Sequence, residues 1–253
     1  KSGDVYESRL IVALIEHENS KEAILSEVRS DAIGRAWWGR KDTEDPTELL
    51  PITGEDEIKE ILNIFNVDPF GINETGTSII IPYIDKDKLM EGIFPENCGI
   101  SDDIISMCSF KDDIVEYTKL AIQKWYAPKI FNKNLMKYSN QKWLAARVNG
   151  AGIKNTDMRP LFRLVQELYT SALSANKFGK QEYNSELFRG IKSFHVPSRK
   201  VQGERAGFVS TVIVTNEDLA STGVIIPPQA YLRLFGAVTK NDPIIMYARA
   251  AGM

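Results

Sequence analysis

The 253-residue sequence predicts a mixed α/β protein of one or two domains. Three observations lead there. Short apolar runs of strand length, bounded by turn residues, recur in the first 84 residues and again after residue 190. Between them lie runs with apolar residues at helical spacing, over 111–127 and after Pro160. Apolar residues make up 43% and charged residues 26%, a composition that supports a sizeable core without disulfides or metals.

The elements follow in chain order. In residues 8–17 (SRLIVALIEH), Leu10, Val12 and Leu14 alternate with Ile11, Ala13 and Ile15, which predicts a strand buried on both faces. The polar segment 16–22 follows as a turn or short helix. Residues 31–40 predict a second strand, with Trp37 and Trp38 on opposite faces. Residues 41–54 carry Pro46, Pro51 and Gly54 and read as a loop. Thr53 and Asp56 resemble a capping box for a helix bearing Ile58, Ile61, Leu62 and Phe65. Pro69, Gly71 and Asn73-Glu74-Thr75 break that pattern, and Gly76 to Tyr83 predict a short buried strand.

The helix over 111–127 puts Ile114, Thr118, Ala121, Ile122 and Trp125 on one stripe and ends at Pro128. Residues 141–149 predict a strand closed by the turn Asn149-Gly150. Asp157 and Pro160 open a long helix with Leu161, Leu164, Val165, Leu168, Ala172 and Leu173 on its apolar face. A loop covers 179–183. Strands are expected at 191–196, 207–215, 222–226 and 243–249, with a short helix around 229–235. The domain boundary is expected in the region 84–92.

Composition excludes several functions. The net charge of −3 argues against nucleic-acid binding through bulk electrostatics, while leaving room for a local basic groove. Cys98 and Cys108 are too few for a disulfide framework and lack a zinc-ligand spacing. His17 and His195 exclude a histidine-rich metal site, and neither lies in a nucleophile-elbow context. Each His is more simply a surface or hydrogen-bonded structural residue. No stretch approaches the roughly 20 apolar residues of a membrane span, and no signal-peptide pattern opens the chain. The expected compartment is the reducing cytoplasm, which makes the Asn73-Glu74-Thr75 sequon a chance occurrence. The start on Lys1 and the stop at Met253, directly after an apolar run, lead us to expect a fragment of a longer protein.

Neither a P-loop nor a dinucleotide GxGxxG is present. Gly34 to Arg40 has two glycines and two arginines but lies inside a strand signal. Gly76-Thr77 is the most suggestive pair. A glycine lets a ligand approach the backbone closely, and the threonine hydroxyl both donates and accepts, as an adenine edge requires. The plainer reading is a turn. Lys124-Trp125-Tyr126 and Lys142-Trp143 set cations beside aromatics, a combination that can stack on bases. More often such rings lie in a core with the lysine in water.

The order of these features resembles the gyrase, heat-shock-chaperone, histidine-kinase and mismatch-repair (GHKL) ATPase superfamily. Gly76-Thr77-Ser78-Ile79-Ile80-Ile81-Pro82-Tyr83 looks like its closing strand with a Gly-Thr pair. The acidic Asp85 to Asp87, Trp125-Tyr126 and Arg249-Ala250-Ala251-Gly252-Met253 resemble later features of large bacterial proteins with such a chaperone-like domain. The resemblance implies the last strands of a helix-covered Bergerat-type sheet over residues 1–86, then a transducer-like α/β domain over 87–253. It implies ATP and Mg2+ as cofactors, Gly76 and Thr77 as cofactor-binding residues, and a protein partner or homodimer. It also implies a switch in which nucleotide docks a domain, in a bacterial defence or stress setting. Glu27 to Ala32 lacks the superfamily's metal-binding Asn, and the Asp-x-Gly-x-Gly motif and glycine-rich lid are missing, so these are expected before Lys1. The basic residue reaching the γ-phosphate is not identified, with Lys142 and Arg163 no better than other choices. The alternatives are a non-enzymatic interaction module and a nuclease-related domain using Asp102-Asp103 and Asp112-Asp113. Those acids also suit helix starts.

Overall fold

The computed structural model describes residues 7–16, 25, 34–45, 47–71, 74–82, 84–94, 96, 98–178, 183–188, 191–197, 200–201, 204–205, 208–221, 229–234, 236–237, 239 and 241–246. The expectations for residues 17–22, 27–32, 179–182, 222–226 and 247–253, and for His17, lie outside them. The chain divides into two compact units, Lys1–Ile84 and Asp85–Met253.

The first unit is built from short antiparallel pairs and one helix. Strand β1 (Val12–Ile15) pairs with β2 (Arg35–Trp38), and β3 (Arg40–Lys41) pairs with β4 (Leu49–Leu50). Leu10 and Ile52 join the two pairs through reciprocal backbone hydrogen bonds of 2.9 and 2.8 Å. The chain therefore changes partner at Gly39, between β2 and β3. A Cβ there would stand 2.4 Å from the Leu50 carbonyl oxygen, so only glycine fits the crossing.

Helix α1 (Glu55–Ile64) buries Ile58 and Leu62 against Ile52, with Leu10, Ile61, Val67 and Ile80 around them. Its N-cap is Gly54, without a side-chain cap, so the expected Thr53–Asp56 capping box does not form. Three acids in the first turn favour the start instead. The strand expected to be buried on both faces forms as β1, but its residues are exposed, as are Trp37 and Trp38 of β2. Only two strands lie side by side here, and no described element covers them.

In the second unit, Asp85 caps α2 (Lys86–Glu91), its carboxylate accepting from the Lys88 N–H at 3.0 Å. The expected acidic loop is thus a helix start. Helix α3 (Asp102–Ser106) carries Asp102 and Asp103 in its first turn. Asp113 caps α4 (Ile114–Tyr126) by accepting from the Val115 and Glu116 N–H groups at 2.8 and 3.3 Å. Helix α4 buries Leu120 and Gln123, while Trp125 is turned out. The expected stripe through Trp125 is therefore displaced around the helix.

After α4 the chain reverses at Phe131, whose φ is +47°. Helix α5 (Asn134–Ser139) follows and ends on left-handed Asn140. Strands β5 (Arg147–Val148) and β6 (Ala151–Gly152) form a hairpin around Asn149-Gly150, whose positive φ values of 49° and 76° suit this tight turn. The expected strand over 141–149 shortens to β5 and a parallel bridge between Ile130 and Leu144. A short 3-10 turn at Asn155–Asp157 leads to α6 (Pro160–Phe178).

Helix α6 organises the unit. Phe162 joins Phe110, Leu120, Ala127, Ile130 and Tyr231 in the main core. Gln166, Thr170 and Ser174 continue the buried face at helical spacing, and all are polar. Their partners explain it. The Gln166 Nε2 donates to the Ala127 and Ile130 carbonyls at 2.9 and 2.6 Å, and the Asn132 Nδ2 donates to Thr170 Oγ1 at 3.0 Å.

Strand β7 (Lys192–Pro197) pairs with β10 (Phe208–Ile213), from Lys192 opposite Ile213 to Pro197 opposite Phe208, and both lie against α6. Between them β8 (Lys200–Val201) and β9 (Glu204–Arg205) form a small hairpin. Helices α7 (Asn216–Ser221) and α8 (Gln229–Arg233) complete the described elements. Residues 243–246 form no strand. The protein is thus mixed α/β, with two-stranded antiparallel sheets among the described residues.

Candidate functional site

Gly76 and Thr77 lie in the first unit, in the segment Thr75–Pro82. The predicted buried strand is not formed there, because no described strand lies beside it. Among the described residues, no backbone group from Thr75 to Pro82 finds a hydrogen-bond partner. Side chains nevertheless alternate as on a strand: Ile80 packs on the α1 cluster, while Ile79 and Ile81 are 83% and 67% exposed. The segment is one-sided rather than buried on both faces.

Thr77 is exposed, and its hydroxyl has no hydrogen-bond partner among the described residues. The Phe70 ring lies 3.2 Å from where a Gly76 Cβ would stand, so it covers one side of the glycine. Asn73 lies outside the described residues, and Thr75 is exposed.

Two cavities are lined by described residues of the second unit. One, of about 600 Å³, is lined by Ser109, Glu116, Lys119, Gln123, Asp157 and Arg159, among others. Its charges satisfy one another. Lys119 Nζ donates to Glu116 at 2.8 Å, and this hydrogen bond holds the ammonium pKa above the ordinary lysine value. Arg159 donates to Ser109 Oγ at 2.8 Å, lies 4.0 Å from Glu116, and stands over the Tyr231 ring at 5.1 Å. The Arg159 N–H donates to the buried Gln123 side chain at 2.8 Å. Asp157 accepts from the Lys154 N–H at 3.0 Å. This wall ties α4 to the start of α6 and presents no surplus charge to a ligand.

The other, of about 400 Å³, is mostly apolar, with Phe94, Cys98, Phe110 and Leu234 in its wall beside Arg233. Cys98 and Cys108 are both buried free thiols. Burial pushes the Cys108 thiol up, with Arg159 pulling weakly the other way. At pH 8 Cys108 therefore holds less thiolate than an ordinary cysteine. Iodoacetamide at that pH should leave it unmodified in the native protein and modify it fully in guanidinium, read by peptide mass. Rapid native labelling would contradict the burial.

The aromatic–lysine pairs are not core elements. Trp125 is 68% exposed, Tyr126 is exposed, and Trp143 is 38% exposed while stacked on Phe131 at 4.6 Å. Lys142 is exposed beside Trp143, and Arg163 lies half-buried on α6. His195 sits on β7 opposite Ser210. Asp102, Asp103 and Asp113 of the nuclease alternative serve helix starts, and among the described residues no three His, Cys, Asp or Glu side chains gather as metal ligands.

No described helix is long and apolar enough to cross a membrane. Comparison with protein-family models, curated proteins and solved structures finds no match for the chain.

Proposed function

We propose that this chain is the distal part of a GHKL-type nucleotide-gated ATPase: the closing part of a Bergerat-type nucleotide-binding domain over residues 1–86 and a transducer-like domain over 87–253. The carrying observation is the segment Thr75–Pro82. Its unpaired backbone and alternating isoleucines have the form of a strand lacking its neighbour. A neighbouring strand of the same sheet pairs those groups and covers Ile79 and Ile81. The exposed apolar β1 and β2 ask for similar cover.

The residues present fit the adenine end of ATP. The free Thr77 hydroxyl addresses the adenine edge directly or through one water. Gly76 admits close approach once the half-exposed Phe70 ring turns aside. Ligands for Mg2+ are expected outside this chain. When bound, ATP supplies the phosphoryl group whose presence or loss biases a two-state closure. This chain's part is to seat the base, exclude water from it, and dock a domain, a second copy or a partner protein.

Replacing Thr77 by Val in the protein translated from the parent reading frame should weaken ATP binding about ten-fold, measured by isothermal titration calorimetry. Unchanged affinity refutes the adenine-edge role. The parent frame upstream of Lys1 should encode a helix with an Asn and an Asp-x-Gly-x-Gly motif, and a frame with neither overturns the ATPase reading.

A further inference from the structure

The net charge of −3 conceals a strong asymmetry along the chain. From Tyr117 to Thr156 there is no Asp or Glu, while the same stretch holds seven lysines and Arg147. From this stretch and its exposed aromatic rings, we infer that the second unit binds single-stranded nucleic acid through the surface formed by the end of α4, the turn at 129–133 and residues 142–147.

The backbone brings these pieces together. The Phe131 N–H donates to the Leu144 carbonyl at 3.0 Å, and the Leu144 N–H donates to the Lys129 carbonyl at 2.8 Å. That crossing sets Lys129 and Lys133 close in sequence to one side of it, with Lys142 and Trp143 on the other. Lys124, Lys133, Lys142 and Arg147 form no ion pair among the described residues, so their charge is available to an anion. Lys177 Nζ donates to the Lys137 carbonyl at 2.6 Å, adding a further cation beside α5.

The aromatic rings select the kind of anion. Trp125 projects from the end of α4 with the Lys124 ammonium 4.8 Å from its ring. Trp143 lies on Phe131 with ring planes 25° apart, which fixes the part-exposed indole in place. Flat rings spaced among lysines match unpaired bases on a phosphate backbone. A duplex hides its base faces and leaves the indoles unused. Phe131 holds this platform in a left-handed conformation that bulky residues rarely adopt, consistent with a geometry kept for binding.

This inference does not depend on the nucleotide reading, and its test contains no ATP. The full chain is titrated into a fluorescein-labelled oligothymidylate of about twenty nucleotides at low salt, with anisotropy as readout. Binding is expected, weakening steeply as salt rises. The triple variant Lys133→Glu, Lys142→Glu, Arg147→Glu should lose most of the affinity and lower the log–log salt slope by about two. Trp125→Ala should weaken binding about ten-fold and diminish the quenching of tryptophan fluorescence. Circular dichroism checks the fold. If the triple variant is unfolded, the exposed single change Lys142→Glu carries the test, with a several-fold loss expected. Absence of binding at low salt, affinity unchanged by these substitutions, preference for a duplex of the same length, or binding only to phosphatidylserine vesicles would each overturn the inference.

Discussion

Replacing Gln166 by Leu should lower the stability of the Asp85–Met253 unit by about 3 kcal/mol. The two side chains are similar in size, so little cavity forms. The loss comes from hydrogen bonds. Gln166 is buried, and its Nε2 donates to two carbonyls, those of Ala127 and Ile130, whose residues are fully buried. Leucine leaves both carbonyls without that donor and without water. Each unsatisfied buried acceptor costs about 1–3 kcal/mol. With a urea dependence of about 2 kcal/mol per molar, the midpoint should fall by about 1.5 M. A shift below about 0.3 M would mean that the carbonyls find other donors and that Gln166 is dispensable.

The second large effect is expected at Gly39. Alanine there places its Cβ 2.4 Å from the Leu50 carbonyl oxygen and 3.4 Å from the Leu49 Cδ2. Gly39 is not among the positive-φ residues, so the conflict is steric rather than conformational. The oxygen belongs to a backbone held by the β3–β4 pairing, and relief requires the strands to separate. Overpacking of this kind costs about 1–3 kcal/mol. In a unit of this size the melting temperature should drop by about 10 °C, followed by the fluorescence of Trp37 and Trp38 beside the site. Gly71→Ala is the control. Its Cβ meets only the flexible Glu74 side chain, at 3.4 Å, and should leave the melt nearly unchanged.

The two cases mark the limit of what residue order reveals. Helices α4 and α6 are legible because their apolar residues repeat at helical spacing and their starts carry Asp113 and Pro160. The Asn149-Gly150 turn is legible because positive φ at both residues favours that pair. The burial of Gln123, Gln166, Asn132 and Thr170 is not legible, because a polar side chain is buried only where a distant partner waits for it. Trp125 reads as core by its apolarity, yet an exposed indole is tolerated where Leu120 and Gln123 already supply the buried face. For Ile79 to Ile81 the apolar run predicts a buried strand, but a strand exists only with a neighbour, and pairing is a long-range matter. The role proposed for Gly76 and Thr77 comes from their residue types and from resemblance, not from the fold around them.

The acid-free stretch was present in the residue order but invisible to the overall balance of charge. Outside it the chain holds 23 basic against 34 acidic side chains, a charge of −11 set against +8 within it. A single isoelectric point describes neither part. At neutral pH the protein should behave as an ampholyte, held by either sign of ion exchanger according to which part meets the resin. Near a polyanion the same segregation acts as a rudder, attracting one stretch while the remainder is repelled. Copies along one strand would then present like-charged remainders to each other, which favours spaced rather than clustered occupancy.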